Sequence, residues 1–345
     1  MQIRLTELAH GGGCGCKIAP AMLAKMLGES ALNRAFPDLL VGYDHADDAA
    51  VYRLNDKQAL VATTDFFMPV VDDPFDFGCI AATNAISDIY AMGASPIMAL
   101  AVVGMPVNKL PIEVIQRILA GGEAVCRDAG IPIAGGHSID SPEPIYGLVV
   151  LGLVKLNQLK RNCEAQPGDD VVLGKPLGVG ILSAALKKQG LKPAEYVELV
   201  DSTTRLNRPG TVLSALDGVH AITDVTGFGL LGHLLEICRG SKVAAQIVFD
   251  DVPVFGSALR HAQGGTVTGA SGRNWESYGD GARLPESFPV WKRNLLTDPQ
   301  TSGGLLVCCA PEATGQVIDI FRQGGFASAV KIGQLARGVP SVEVA

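Results

Sequence analysis

Residues 47–67 read DDAAVYRLNDKQALVATTDFF. Ala49 to Leu54 and Ala59 to Thr64 are β-forming runs, and Asn55-Asp56 ends the first of them. The segment therefore predicts a hairpin with an acidic pair before its first strand and Asp65 at the end of its second. Downstream, the spacing predicts a helix over 77–92. Ile80, Ala81, Ala85, Ile86 and Ile89 recur toward one side, Thr83, Asn84, Ser87 and Asp88 form a polar stripe, and Gly93 stops the helix. Strands at 97–103, 131–134 and 145–154 and a helix at 111–129 complete a β-rich first domain with packed helices, an α+β layer pattern.

The polar run Lys155 to Asp169, containing Pro167-Gly168, reads as a linker and divides the chain into domains 1–155 and 156–345. The second half is again α/β-like. Strands are expected near 170–174, 219–223, 244–249, 303–309 and 328–334, with helices near 179–189, 228–239 and 312–323. Residues 264–288, rich in Gly, Ser and charge, read as a long loop anchored by Trp275 and Tyr278. A chain of 345 residues, 48% hydrophobic and 18% charged, suits two compact lobes of this kind.

The net charge of -7 argues against a general nucleic-acid or anionic-membrane binder, because both need a basic face. The start MQIRLTELAHGGG lacks the apolar core of a secretion signal, and no stretch approaches the roughly 18 apolar residues of a spanning helix. A cytoplasmic protein is expected. The eight scattered cysteines form no small-domain disulfide framework, so reduced thiols are expected.

Two groups of residues can carry chemistry. The first is His10-Gly-Gly-Gly-Cys14-Gly-Cys16-Lys17, a glycine-rich stretch that predicts a mobile loop. Pro20, Met22, Leu23, Met26 and Leu27 suggest a helix that anchors it. His10 and Lys17 flank Cys14, and cations lower a thiol's pKa; two buried structural cysteines are the ordinary alternative. The second group is acidic. Between Lys57 and Lys109 there is no Lys or Arg, while Asp65, Asp72, Asp73, Asp76 and Asp88 all occur. Asp47-Asp48, Asp65, Asp88 and Asp224 stand at strand ends or on the polar helix stripe, where hard oxygens could hold Mg²⁺. Singly, each has an ordinary use in a turn, on a solvated helix face or as a cap. Glycine-rich turns at 135–138, 226–229 and 301–304 offer backbone N–H groups to phosphate. There is no Walker G-x-x-x-x-G-K-[ST] motif and no complete Rossmann fingerprint.

Taken together, HGGGCGCK, DDAAVY, TTDFFMP, NAISDIYAMG, AGGHSID, TDVTGFGLLGH and DPQTSGGLL resemble bacterial-type selenophosphate synthetases, within the aminoimidazole ribonucleotide synthetase-like superfamily. The resemblance implies a two-domain α+β fold of that superfamily with a flexible glycine-rich N-terminal loop, a homodimer paired through the first domains, and ATP bound between the domains beneath the loop. It implies formation of selenophosphate, AMP and phosphate from ATP, selenide and water, for selenoprotein and seleno-tRNA synthesis, with more than one Mg²⁺ and a selenium-delivery protein as a further partner. Carried over by position, Cys14 and Lys17 look catalytic, and Asp48, Asp88 and Asp224 look like metal ligands. Lys17, His45, Ala46, Asp47, Asp65, Asp88, Gly136, His137 and Ser138 match positions that contact ATP or its metals. The competing readings are an enzyme of the same superfamily acting on a ribonucleotide or thiamine phosphate, and a thiol selenium carrier without ATPase activity.

Overall fold

A computed structural model describes residues 3–18, 22, 26, 36–42 and 47–345. The expected anchor helix after Pro20 lies largely outside the described residues, and His45 and Ala46 lie wholly outside them. The first unit contains β1 (Leu39–Val41), β2 (Ala50–Arg53), β3 (Gln58–Phe67), α1 (Pro74–Ala91), β4 (Ser95–Met105), α2 (Ile112–Asp128), β5 (Ile133–Asp140) and β6 (Ile145–Lys155). Its sheet runs β1-β2-β3-β6-β4-β5, antiparallel except for the parallel β4–β5 pair.

α1 starts where Asp73 accepts hydrogen bonds from the Phe75 and Asp76 N–H groups and Pro74 presets the first turn. Beyond that turn it is buried nearly all round, because the sheet, α2 and the second unit all pack on it. Glycine makes one of these contacts possible. A Cβ on Gly78 would lie 1.9 Å from the Ile118 carbonyl oxygen, and one on Gly121 would lie 2.1 Å from that of Phe75, so α1 and α2 touch backbone to backbone.

The second unit contains β7 (Asp170–Leu173), α3 (Val179–Lys187), α4 (Pro193–Thr203), α5 (Pro209–Leu213), β8 (Val219–Asp224), α6 (Gly229–Ser241) and β9 (Val243–Ile247). It continues through α7 (Gly256–Gln263), α8 (Gly269–Tyr278), β10 (Ala282–Arg283), α9 (Val290–Leu296), β11 (Leu305–Cys309), α10 (Thr314–Gln323), β12 (Val330–Arg337) and β13 (Ser341–Val344). The sheet order is β10-β13-β9-β12-β7-β11-β8. β8, which ends at Asp224, is therefore an edge strand on the side that meets α1.

Two sequence expectations fail here. Residues 264–288 are not one long loop, since they contain α8 and the short β10. The Thr268 side chain caps α8 by accepting the Ser271 N–H, Asn274 donates to the carbonyls of Gly227 and Thr297, and the Tyr278 hydroxyl donates to the Phe228 carbonyl. Tertiary hydrogen bonds thus override a weak local helix propensity. Residues 135–138 are not a turn either; they lie inside β5, where Gly136 passes so close to Ala101 that a Cβ would sit 2.0 Å from its carbonyl oxygen.

The interhelical glycines give a stability test. Gly78→Ala must push α1 from α2, and a loss of about 1–3 kcal/mol is expected in denaturant unfolding. Gly272→Ala, inside α8 with nothing within 4 Å of the added carbon, should instead stabilise by about 0.5–1 kcal/mol.

Candidate active site

Asp48 precedes β2, Asp88 lies on α1 and Asp224 ends β8, and these separate elements bring their carboxylate oxygens within 4.8 Å of one another. Each is fixed by a hydroxyl donor. Thr223 Oγ1 donates to Asp48 Oδ1 at 2.8 Å, Thr63 Oγ1 to Asp88 Oδ2 at 2.5 Å, and Ser87 Oγ to Asp224 Oδ2. Asn207 Nδ2 in turn donates to Ser87 Oγ at 2.8 Å. Burial, then mutual repulsion, pushes the carboxyls of Asp48 and Asp88 well above the usual range, and burial also raises that of Asp224. At an effective dielectric of 20, two carboxylates this close repel by about 3 kcal/mol. Asp48 Oδ2 is buried and has no hydrogen-bond partner among the described residues. An orphaned oxygen within an all-carboxylate set fits a hard divalent cation.

The sheet supplies Asp65 next to this cluster. Asn84, one helical turn before Asp88, donates its amide to Asp65 Oδ2, and Lys17 Nζ lies 3.4 Å from the same oxygen. Burial works against the Lys17 charge, yet Asp65, followed by Cys14, Asp88 and Asp224, outweighs it and holds the pKa well above that of an ordinary lysine. The ammonium end is thus set among anions while 37% of the side chain stays exposed.

The glycine-rich segment is docked against these groups. Gly13 has φ +53°, donates its N–H to the Met68 carbonyl at 2.9 Å, and has room for no side chain, since a Cβ would sit 2.1 Å from Thr301 Oγ1. That hydroxyl accepts the Cys14 N–H at 3.0 Å, and the Cys14 thiol donates to Asn84 Oδ1 at 3.2 Å. Asn84 Oδ1 also accepts the Ser302 N–H at 2.7 Å, so one asparagine ties the loop, the 301–304 turn and Asp65 together.

The expectation of an activated Cys14 is corrected by this geometry. The residue is 1% exposed, and burial drives its thiol pKa far up, against the lowering effect of Lys17. His10 does not help, because its ring faces Glu143, with Nδ1 2.8 Å from Oε2. Cys16 is only partly buried, and burial raises its thiol to about 11.

The other sequence candidates do not all converge. Asp47 lies outside the carboxylate cluster, and its Oδ1 accepts the Asn162 N–H at 2.9 Å, pinning the 155–169 segment. Asp65, Leu148, Ala101 and Gly136 are successive partners in one row across β3, β6, β4 and β5. Gly136 is therefore about 14 Å from Asp65 at ordinary strand spacing, with His137 and Ser138 beside it on the exposed edge. Sequence reasoning gave no roles to Asn84, Ser87, Thr223 and Thr301. Asn84 and Ser87 were visible on the stripe with Asp88; the other two show only once the strands and turns are assembled. Lys175, 3% exposed, was not singled out at all. It donates to the carbonyls of Arg205 and Ser302 at 2.8 and 2.9 Å, and burial lowers its pKa to about 7.

The families described as AIR synthase related protein, N-terminal domain, and AIR synthase related protein, C-terminal domain, match residues 46–154 and 166–344. A selenide, water dikinase of Paraburkholderia xenovorans (strain LB400) is 63% identical over 341 residues, covering 99% of this chain and 96% of that protein. The chain belongs to the selenide, water dikinase family. Another member, from Rhizobium meliloti (strain 1021), is 55% identical over 99% of this chain and 98% of its own. Among solved structures, thiamine-monophosphate kinase from Stenotrophomonas maltophilia K279a superposes with TM-score 0.66 at 23% identity over 94% of each chain. Hydrogenase maturation protein HypE in complex with ATP gives TM-score 0.63 at 20% identity, over 90% of this chain and 87% of that one. These distant likenesses establish the AIR synthase-like fold.

Relief of the carboxylate repulsion can be measured directly. Asp88→Asn should raise the melting temperature of cation-free protein, by about 1 kcal/mol or more of stability, and remove most of the stabilisation that added Mg²⁺ or Mn²⁺ gives the parent protein. An undiminished cation effect in thermal melts would take Asp88 out of the centre.

Proposed function

We propose that the chain is an ATP-dependent selenophosphate synthetase that converts ATP, selenide and water to selenophosphate, AMP and phosphate. The observation that carries this reading is the full-length identity to selenide, water dikinases combined with Cys14 and Lys17 docked beside a three-aspartate centre. Asp48, Asp88 and Asp224 would hold Mg²⁺, which supplies charge neutralisation and orientation of the phosphates when bound. Lys17, aimed by Asp65, donates to the phosphoryl oxygens and stabilises the charge that grows on them in transfer.

Selenide attacks as an anion and needs no general base, so the protein's task is to position it and keep water out. The docked loop does both. Burial is the largest influence on the Cys14 thiol, so lifting the loop returns it toward an ordinary thiol with Lys17 nearby, and docking silences it again. Reactivity is tied in this way to loop position. The alternative of a thiol carrier without ATPase activity has no use for the aspartate centre, and the other superfamily substrates have no use for the loop thiol.

We place the enzyme in the cytoplasm, consistent with eight free cysteines and with no described helix long and apolar enough to cross a membrane. It acts as a homodimer. The sheet face turned from α1 exposes Tyr52, Phe66 and Ile139 at 47, 50 and 57%, an apolar surface suited to a second copy. Such pairing would bring the partner subunit's edge strand toward the site and give Gly136, His137 and Ser138 a nucleotide to contact. Sedimentation should show a dimer at micromolar concentration, and Phe66→Asp with Ile139→Asp should shift it toward monomer.

The catalytic assignment is tested by phosphorus NMR of the products under anaerobic conditions. Cys14→Ser should abolish selenophosphate while retaining ATP binding, Cys16→Ser should keep a substantial part of the activity, and Lys17→Ala should lose phosphate chemistry altogether. Full activity in Cys14→Ser would make the thiol a bystander.

A further inference from the structure

The docked loop has two sides, and they differ in charge. One faces Asp48, Asp65, Asp88 and Asp224. The other forms the wall of a cavity of about 310 Å³ lined by the backbones of Gly11, Gly12 and Gly15. Its remaining charged and titratable lining groups are His10, Lys187, Lys188 and Arg273, with no acidic residue among the lining residues. Thr268 and Gly269, at the start of the ten-residue helix α8, add N–H groups and the positive end of a helix dipole. In a chain of net charge -7 this concentration of positive potential is local and built.

The cavity reaches the loop thiol through few atoms. Thr301, which lines it, accepts the Cys14 N–H, and Gly15, which also lines it, is the next residue and accepts from Arg273 Nη2 at 3.0 Å. Lys187 Nζ donates to the Ala9 carbonyl at 3.0 Å, and His10 is engaged by Glu143. Lys188 is exposed, and its side chain makes no hydrogen bond or ion pair among the described residues.

We propose that this cavity is the entry port for the selenium substrate, which it takes as the hydrated hydroselenide anion and passes to Cys14 from the side of the loop opposite the nucleotide. The proposal rests on the selenophosphate synthetase reading and assigns a second approach to the same centre. An anion arriving by the aspartate side would meet four carboxylates and the phosphates of ATP; by the cavity side the charged groups in the wall are cations, with the Glu143 carboxylate behind His10, and N–H dipoles and small apolar side chains complete the lining. A cavity of this volume has room for an ion with its water, so the ion enters with its shell and is stripped of water only at the thiol. Two substrates of like charge are thereby kept from competing for one path.

Lys188→Glu is the primary test, because the side chain holds no part of the fold in place. The Michaelis constant for selenide should rise about 5- to 10-fold, while that for ATP and kcat at saturating selenide stay unchanged. The difference should shrink as salt is raised, and Lys188→Arg should restore the parent value. Lys188→Glu with Arg273→Glu should raise the selenide constant further, provided thermal melting shows both variants folded. Unchanged selenide constants in the folded double variant would overturn the port, and so would an equal rise in the ATP constant. If the parent protein forms no selenophosphate, the functional reading fails; if the parent is active and the variants are indifferent to selenide concentration, the port alone fails.

Discussion

Three carboxylates brought within 4.8 Å of one another and largely removed from water set the terms for the rest of this molecule. Without a cation the arrangement is held against its own repulsion, and it is held by packing: a loop before β2, the last turn of α1 and the end of β8 cannot separate without parting α1 from β8 and the two sheets. Hydroxyls of Thr63, Ser87 and Thr223 aim the oxygens so that each keeps coordination capacity to spare. The energy that could relax the cluster is stored instead as affinity for positive charge. Protonation partly relieves it in the cation-free state, as the raised carboxyl pKa values of Asp48 and Asp88 indicate.

The loop answers the same field with its own cation. Lys17 is drawn to Asp65, and this contact carries Cys14 into the wedge between Asn84 and Thr301. Asn84 is the mechanical centre of the arrangement, since its oxygen takes the thiol and the Ser302 N–H while its amide takes Asp65. Lys175, beneath, holds the Ser302 carbonyl and so steadies a turn in which Ser302 itself adopts φ +53°. A non-glycine residue in that conformation is costly, and a buried ammonium fixed to its carbonyl is a means of keeping it there.

Much of this was legible in the sequence where a local rule dominates. The Asn55-Asp56 hairpin, the 77–92 helix and the strands at 145–154 and 219–223 follow from alternation, helical spacing and breakers, and the structure has them within a few residues. Asp48, Asp88 and Asp224 stand out, with Asp47 and Asp65, by their places at strand ends and on the polar stripe, while their selection as one metal set comes from the family resemblance. Legibility ended where tertiary contacts decide. Helix α8 reads GASGRNWESY, with two glycines and two serines in ten residues, and exists because Asn274 and Tyr278 find backbone partners in distant turns. The Gly135-Gly136 pair reads as a turn but is an edge strand, because only a residue without Cβ can pass Ala101 so closely. The state of Cys14 was misjudged for a related reason: flanking charges are in the sequence, but burial is not.

That misjudgement bears on the chemistry. A permanently activated thiol beside this carboxylate cluster would be open to oxidation. Burial of the docked thiol guards against this. Glycine is needed at position 13, where a side chain would keep the segment from seating against Thr301. Docking also divides the surroundings of the thiol into an acidic side and a basic side. The same few residues that bury the thiol thereby hold an acidic surface and a basic one apart.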